Sequence, residues 1–362
     1  MINILLAGGL SLVLAMVGTP ILIRFLTKRQ YGQFIREDGP TSHHVKRGTP
    51  TMGGVVIVGA VVLAYFLTHL IRWNPPSVSG MLLIALAVAM GFLGFLDDWA
   101  KISKERSLGL SARGKLIGQT VIGAAFAVAA LNFKDERGVS PASPAISFLR
   151  DISWLVLPTF LAVIVIIFLV AAWSNAVNLT DGLDGLAAGS ATLVFAAYTL
   201  VNIWQYNQWC ARPHVEADAL LAGARCYEVR DPNDLAMVAV AFAGACFGFL
   251  WWNAKPAKIF MGDTGSMAIG AALAGLSIMT RTELLLVILG LLFVIEVGSV
   301  ALQVSYFKAT KGKRIFKMSP IHHHFELLGW KEVTVVIRFW IICGLCVALG
   351  LGIFYAEWVV TQ

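Results

Sequence analysis

Ten mostly apolar stretches, each close to the length needed to cross a bilayer, constrain this chain more than any other feature. They lie near 4–26, 53–72, 80–96, 115–132, 153–172, 185–205, 235–251, 266–280, 284–306 and 335–358. A spanning helix needs about 17 to 25 such residues to traverse roughly 30 Å of hydrocarbon. The expected fold is therefore all-α: a polytopic membrane protein of ten transmembrane helices, forming one integral membrane domain over 1–362. Composition supports this, because 14% of residues are charged, whereas soluble globular chains carry about 25%. A disordered chain, a collagen-like repeat and a small disulfide scaffold are excluded, and no nucleic-acid partner is expected. Spans three and eight are short, and span eight is rich in Gly and Ala, which suggests ends that border a cavity rather than lipid.

Lys and Arg orient the bundle, since they accumulate in cytoplasmic loops. The connections after spans one, three, five, seven and nine cover approximately 27–52, 97–114, 173–185, 252–265 and 307–334, and together they hold more than twice as many Lys and Arg as the others. These five are assigned to the cytoplasm, which puts both termini outside. The first span carries Arg24, Lys28 and Arg29 after its apolar run rather than before it, so it reads as a span and not as a cleaved signal. The large outer loop, approximately 206–234, contains Cys210 and Cys226. An oxidising exterior permits a disulfide there, and two free thiols are an equal alternative. Cys343 and Cys346 sit inside span ten, where helix packing accounts for them.

The inner connections hold the residues with chemistry. Asp97 and Asp98 emerge from span three with Lys101 one turn on. Adjacent carboxylates repel unless a cation or proton intervenes, although an ordinary i,i+4 ion pair would also explain Asp97 and Lys101. The connection after span five places Asn175, Asn178, Asp181 and Asp184 at every third residue, with Gly182 and Gly185 and no Lys or Arg. Helix caps explain one of these; four in register suggest a ligand site. After span seven come Asn253, Lys255, Lys258, Phe260 and then Asp263 between Gly262 and Gly265, a turn suited to presenting one carboxylate to a metal ion. Before span ten, a run of Lys and Arg precedes His322, His323 and His324. Successive helical side chains turn by about 100°, so at most two of the three histidines act at one point. The first inner loop adds Lys46 and Thr51 in a basic, glycine-rich turn of the kind that holds phosphate oxygens. Glu296 is the one acid well inside a span, and such residues are functional candidates by default. Carboxylates favour a hard cation such as Mg²⁺ over zinc. Acids, a divalent ion and lysines gathered at one membrane face suit phosphoryl chemistry on a lipid-borne substrate.

In order and spacing, Asp97-Asp98-x-x-Lys101, Asn175 to Gly185, Phe260-Met-Gly-Asp263 and Pro320-x-His322-His323-His324-x-Glu326 resemble the phospho-N-acetylmuramoyl-pentapeptide transferases, a family of bacterial plasma-membrane enzymes. The likeness runs from Tyr31 through nearly the whole chain. It implies transfer of phospho-MurNAc-pentapeptide from UDP-MurNAc-pentapeptide to undecaprenyl phosphate, giving UMP and the first lipid-linked peptidoglycan precursor, with Mg²⁺ as cofactor and the active site on the cytoplasmic face. It further implies Asp263 as the metal ligand, Asp97 and Asp98 at the catalytic centre, and the three histidines as active-site contacts. Lys46, Thr51, Lys101, Asn175, Asn178, Asp181, Gly182, Leu183, Asp184, Asn253 and Phe260 are the implied substrate-binding positions. Membrane lipids are expected partners, and a homodimer is a candidate assembly. Two other functions compete: a GlcNAc-1-phosphate transferase of the same superfamily, against which the uninterrupted histidine run argues, and a transporter, against which the clustering of charge at one face argues.

Overall fold

The computed structural model describes residues 1–29, 31–32, 48–104, 108–211 and 226–360. Helices α1 (Ile2–Lys28), α2 (Gly54–Arg72), α3 (Val78–Ser103) and α4 (Ala112–Asn132) are followed by a small antiparallel hairpin, β1 (Ala145–Ser147) and β2 (Asp151–Val156). Then come α5 (Thr159–Thr180), α6 (Leu186–Asn207), α7 (Pro232–Asn253) and α8 (Gly262–Met279). The chain finishes with α9 (Glu283–Leu289), α10 (Leu291–Ala309), the short α11 (Ile321–Leu327) and α12 (Glu332–Val360).

Among the described residues, nine helices are long and apolar enough to cross a membrane: α1 to α7, α10 and α12. The eighth expected span corresponds to α8, whose residues from Thr264 to Met279 are all buried inside the protein. A helix that meets only other helices needs small side chains more than lipid-soluble ones, which explains its Gly- and Ala-rich sequence. It packs chiefly between α3 and α5. The ninth expected span is divided at Gly290, where a side chain would press on the Trp173 indole, 2.8 Å from the added carbon. The fifth begins at Thr159 rather than 153, because residues up to Val156 belong to the hairpin and Pro158 opens the helix.

Small residues also join α1 to α7. The Ser11 hydroxyl donates to the Ala241 carbonyl at 2.6 Å, and a side chain on Gly244 would collide with the Gly8 carbonyl. At the end of α6 remote from Gly185, Cys210 and Cys226 form a disulfide. Arg150, in the hairpin turn, stacks over Tyr227 at 4.0 Å and donates to the Cys226 carbonyl at 2.6 Å, so the hairpin is tied to that loop.

Candidate active site

The last turns of α3 carry Asp97 and Asp98, and because neighbours on a helix point about 100° apart, the two carboxylates do different work. Asp98 faces the start of α8. It accepts the backbone N–H groups of Asp263 (3.1 Å) and Thr264 (3.0 Å) and the Thr264 hydroxyl (2.8 Å). The first N–H groups of a helix have no partner within it and its N-terminus is electropositive, so Asp98 caps α8 from another helix. Close crossing permits this: a side chain on Gly94 would collide with the Asp263 carbonyl. Gly262, in the left-handed region at φ +74°, fits beneath Asp98 and Thr51.

Asp97 instead accepts Lys101 at 2.7 Å and the Leu110 N–H at 2.8 Å. Lys101 also lies 3.6 Å from Asp98 and 3.2 Å from Asp263. Asp263 further receives Lys115 of α4 at 2.5 Å and the side-chain amide of Asn178 at 2.8 Å. One oxygen from each of Asp97, Asp98 and Asp263 lies within 4.8 Å of the others. These are hard oxygen donors, and their spacing suits a divalent cation such as Mg²⁺. With two lysines against three carboxylates, the cluster retains net negative charge to attract one.

Asp181 ends α5 and accepts the Gly262 N–H. Burial, then the charges of Asp263 and Asp98, push its carboxyl up to about 7. Beyond it the chain turns through buried Leu183 to Asp184. Asp184 accepts the Ala257 N–H at 3.1 Å, and its own N–H donates to Glu332 at 3.0 Å. Asn253 accepts the Gly185 N–H (3.2 Å) and donates to the Ile259 carbonyl (2.9 Å), while Lys255 pairs with Glu332. Asp184 and Asn253 therefore fasten the α5–α6 turn to the α7–α8 connection. Phe260 draws in the first inner loop through its backbone, donating to Pro50 (2.8 Å) and accepting from Gly53 (2.9 Å), which leaves Thr51 beside Gly262.

Thus Thr51, Asp97, Asp98, Lys101, Asn178, Asp181 and Asp263 come together, and Gly182, Leu183, Asp184, Asn253 and Phe260 form the turns around them. Asn175 points elsewhere, its amide donating to Gln119 of α4 at 3.1 Å and to the Ala171 carbonyl at 2.8 Å. The histidines diverge. His322 is fully buried against Gly182 with Nδ1 2.9 Å from Glu296, His323 pairs with Glu326 at 2.8 Å, and His324 accepts the Lys317 N–H at 3.1 Å. Lys46 lies outside the described residues. Sequence reasoning missed Lys115, because a lysine in the first turn of a spanning helix ordinarily meets headgroups and its spacing from Asp263 carries no local signal.

The description Glycosyl transferase family 4 matches residues 80–281, and the phospho-N-acetylmuramoyl-pentapeptide-transferase signature 1 matches residues 46–58. Phospho-N-acetylmuramoyl-pentapeptide-transferases from Cutibacterium acnes and Nocardioides sp. are 63% and 60% identical to this chain over 360 and 363 residues, covering 99% and 98% of both partners. The one from Streptomyces avermitilis is 56% identical over 356 residues, 98% of each chain. Likeness of this degree over essentially the full length places the chain in a family: it belongs to the phospho-N-acetylmuramoyl-pentapeptide-transferases.

Proposed function

We propose that this protein transfers phospho-MurNAc-pentapeptide from UDP-MurNAc-pentapeptide to undecaprenyl phosphate, producing lipid I and UMP at the cytoplasmic face of a bacterial plasma membrane. The observation that carries this reading is the convergence of Asp97, Asp98 and Asp263 from α3 and α8, with two lysines, at one end of a membrane bundle. A pyrophosphate and a lipid phosphate bring several negative charges into one place, and catalysis there is mainly positioning and charge stabilisation.

Asp98 is committed to the α8 N-terminus by three hydrogen bonds, so its part is to hold Asp263 in place. Asp263, with Asp97 beside it, would hold Mg²⁺, which when bound would supply charge neutralisation at the pyrophosphate. Lys101 and Lys115 reach the same oxygens and position the phosphates as point charges. Asp97 orients the acceptor phosphate or takes its proton. An oxygen of undecaprenyl phosphate attacks the sugar-proximal phosphorus; the new P–O bond forms as the bond to the bridging oxygen breaks, and UMP leaves with that oxygen. Asn178 fixes Asp263 from α5, and the turn from Asp181 to Gly185 lines the nucleotide side of the site.

The test is UMP release by detergent-solubilised protein with UDP-MurNAc-pentapeptide and undecaprenyl phosphate, with and without Mg²⁺, against UDP-GlcNAc as donor. Mg²⁺-dependent release from the muramoyl donor alone is expected. Release from UDP-GlcNAc at equal rate overturns the substrate assignment, and exchange of labelled UMP into the donor without lipid acceptor overturns the direct displacement.

A further inference from the structure

One face of α10 presents Glu296, Ser299 and Gln303, all buried. Positions three and four apart share a helix face, so these form a polar ladder inside an otherwise apolar span. Each rung holds the segment that follows. Gln303 accepts the N–H groups of Ile315 (3.1 Å) and Phe316 (2.9 Å), and Ser299 accepts the N–H of Ile321 at 3.0 Å. The innermost rung, Glu296, meets a side chain instead: its Oε2 lies 2.9 Å from His322 Nδ1, and both residues are completely buried. Among the described residues, His322 Nε2 has no hydrogen-bond partner. It is aimed at Gly182, where even a methyl group would strike it. The Gly182 N–H already donates to the Thr180 carbonyl at 2.8 Å and so is not available to the ring.

A carboxylate beside one ring nitrogen fixes which tautomer is present. Ionised, Glu296 can only accept, which puts the proton on Nδ1 and leaves Nε2 as a lone-pair acceptor facing the turn after Asp181. We propose that Glu296 is a positioning residue of the transfer reaction, holding His322 in the single orientation and tautomer that offers a basic Nε2 to the α5–α6 turn of the active site. The inference rests on the proposed function and on His322 belonging to that site. The groups around the ring are Glu296 from α10, His323 from α11, with ring centres 4.1 Å apart and itself paired to Glu326, and the backbone at Gly182 between Asp181 and Asp184.

The experiment compares Glu296→Gln, Glu296→Asp, Ser299→Ala and His322→Ala with the parent enzyme, measuring kcat and the KM for each substrate. Glu296→Gln preserves size but removes the charge, and its amide can donate to Nδ1 and release the tautomer. Its expected result is a kcat about 10- to 100-fold lower, in the range for loss of a partner that orients a histidine, with each KM within about twofold. Glu296→Asp keeps the carboxylate and should lower kcat less than Glu296→Gln at unchanged KM, and it decides the matter should the Gln variant not fold. Ser299→Ala removes a neighbouring rung without touching the ring and should leave kcat within about twofold of the parent. A parental kcat in Glu296→Gln, a loss in Glu296→Asp as large as that in Glu296→Gln, or an equal loss in Ser299→Ala overturns the inference. Parental kcat in His322→Ala overturns the reading of the site itself, whereas lost turnover in His322→Ala beside an unaffected Glu296→Gln overturns the role of Glu296 alone.

Discussion

Asp98 and Asp263 carry the same functional group less than 5 Å apart yet should respond differently to substitution. Asp98 satisfies three donors at the start of α8; removing such a cap costs about 0.5–2 kcal/mol and lets the backbone under Asp263 shift. Asp98→Ala is therefore expected to lower the thermal midpoint and turnover together. Asp263→Asn keeps the volume and the contact with Asn178 but loses the charge that faces Lys101 and Lys115. It should lower turnover by about 100- to 1000-fold, as for removal of one main electrostatic contact, with a smaller change in midpoint. Paired melting curves and UMP-release rates check both, and a larger midpoint loss in Asp263→Asn than in Asp98→Ala would reverse the assigned roles.

Helix contacts explain what could and could not be read in advance. The acidic clusters were legible because Asp181 and Asp184 stand in a glycine-containing turn free of Lys and Arg and Asp263 stands between Gly262 and Gly265, a pattern that membrane burial does not favour unless a ligand is involved. Asn175 shared that spacing but faces α4, since α5 continues to Thr180 and one helical step decides the direction. Lys115 and the break at Gly290 were not legible, because each depends on a partner helix far away in sequence. The α1–α7 contact makes a clean test of such dependence. Gly244→Val forces a branched side chain against the Gly8 carbonyl, and overpacking of this kind costs about 1–3 kcal/mol. Gly9→Val, on the partner helix α1 beside Gly8, meets nothing within 4 Å and should stay within about 0.5 kcal/mol of the parent. Equal melting of the two variants would mean that α1 does not dock tightly.

At the opposite end of the bundle, Glu283 accepts the Ser147 N–H at 3.1 Å and so fastens the hairpin to α9. Burial pushes its carboxyl from the ordinary 4.5 up to about 8, partly opposed by Arg281. The folded state then holds a proton that the unfolded chain releases. This contribution is fully present below about pH 4.5 and is lost as pH rises through about 8, at about 1.4 kcal/mol per pH unit when no other group titrates. Glu283→Gln keeps an oxygen for Ser147 and cannot ionise. Its thermal midpoint should exceed the parent's at pH 9 and vary less between pH 5 and 9; parallel curves would show that Glu283 is not protonated when folded.

For the whole molecule, two independent features support the proposed orientation. Lys and Arg favour the connections at the carboxylate end, while the Cys210–Cys226 disulfide lies at the other end of α6, and such bonds persist on the oxidising side of a membrane. The three remaining cysteines, Cys246, Cys343 and Cys346, are buried in helices, out of reach of a bulky reagent, so single new cysteines can report each face. Lys134→Cys places a thiol on the hairpin side and Lys313→Cys one on the site side, both at exposed positions. A membrane-impermeant maleimide applied to intact cells should label the first and reach the second only after permeabilisation. The reverse pattern would put the carboxylate cluster outside, away from any nucleotide-linked donor made in the cytoplasm, and the orientation and the proposed reaction would fail together.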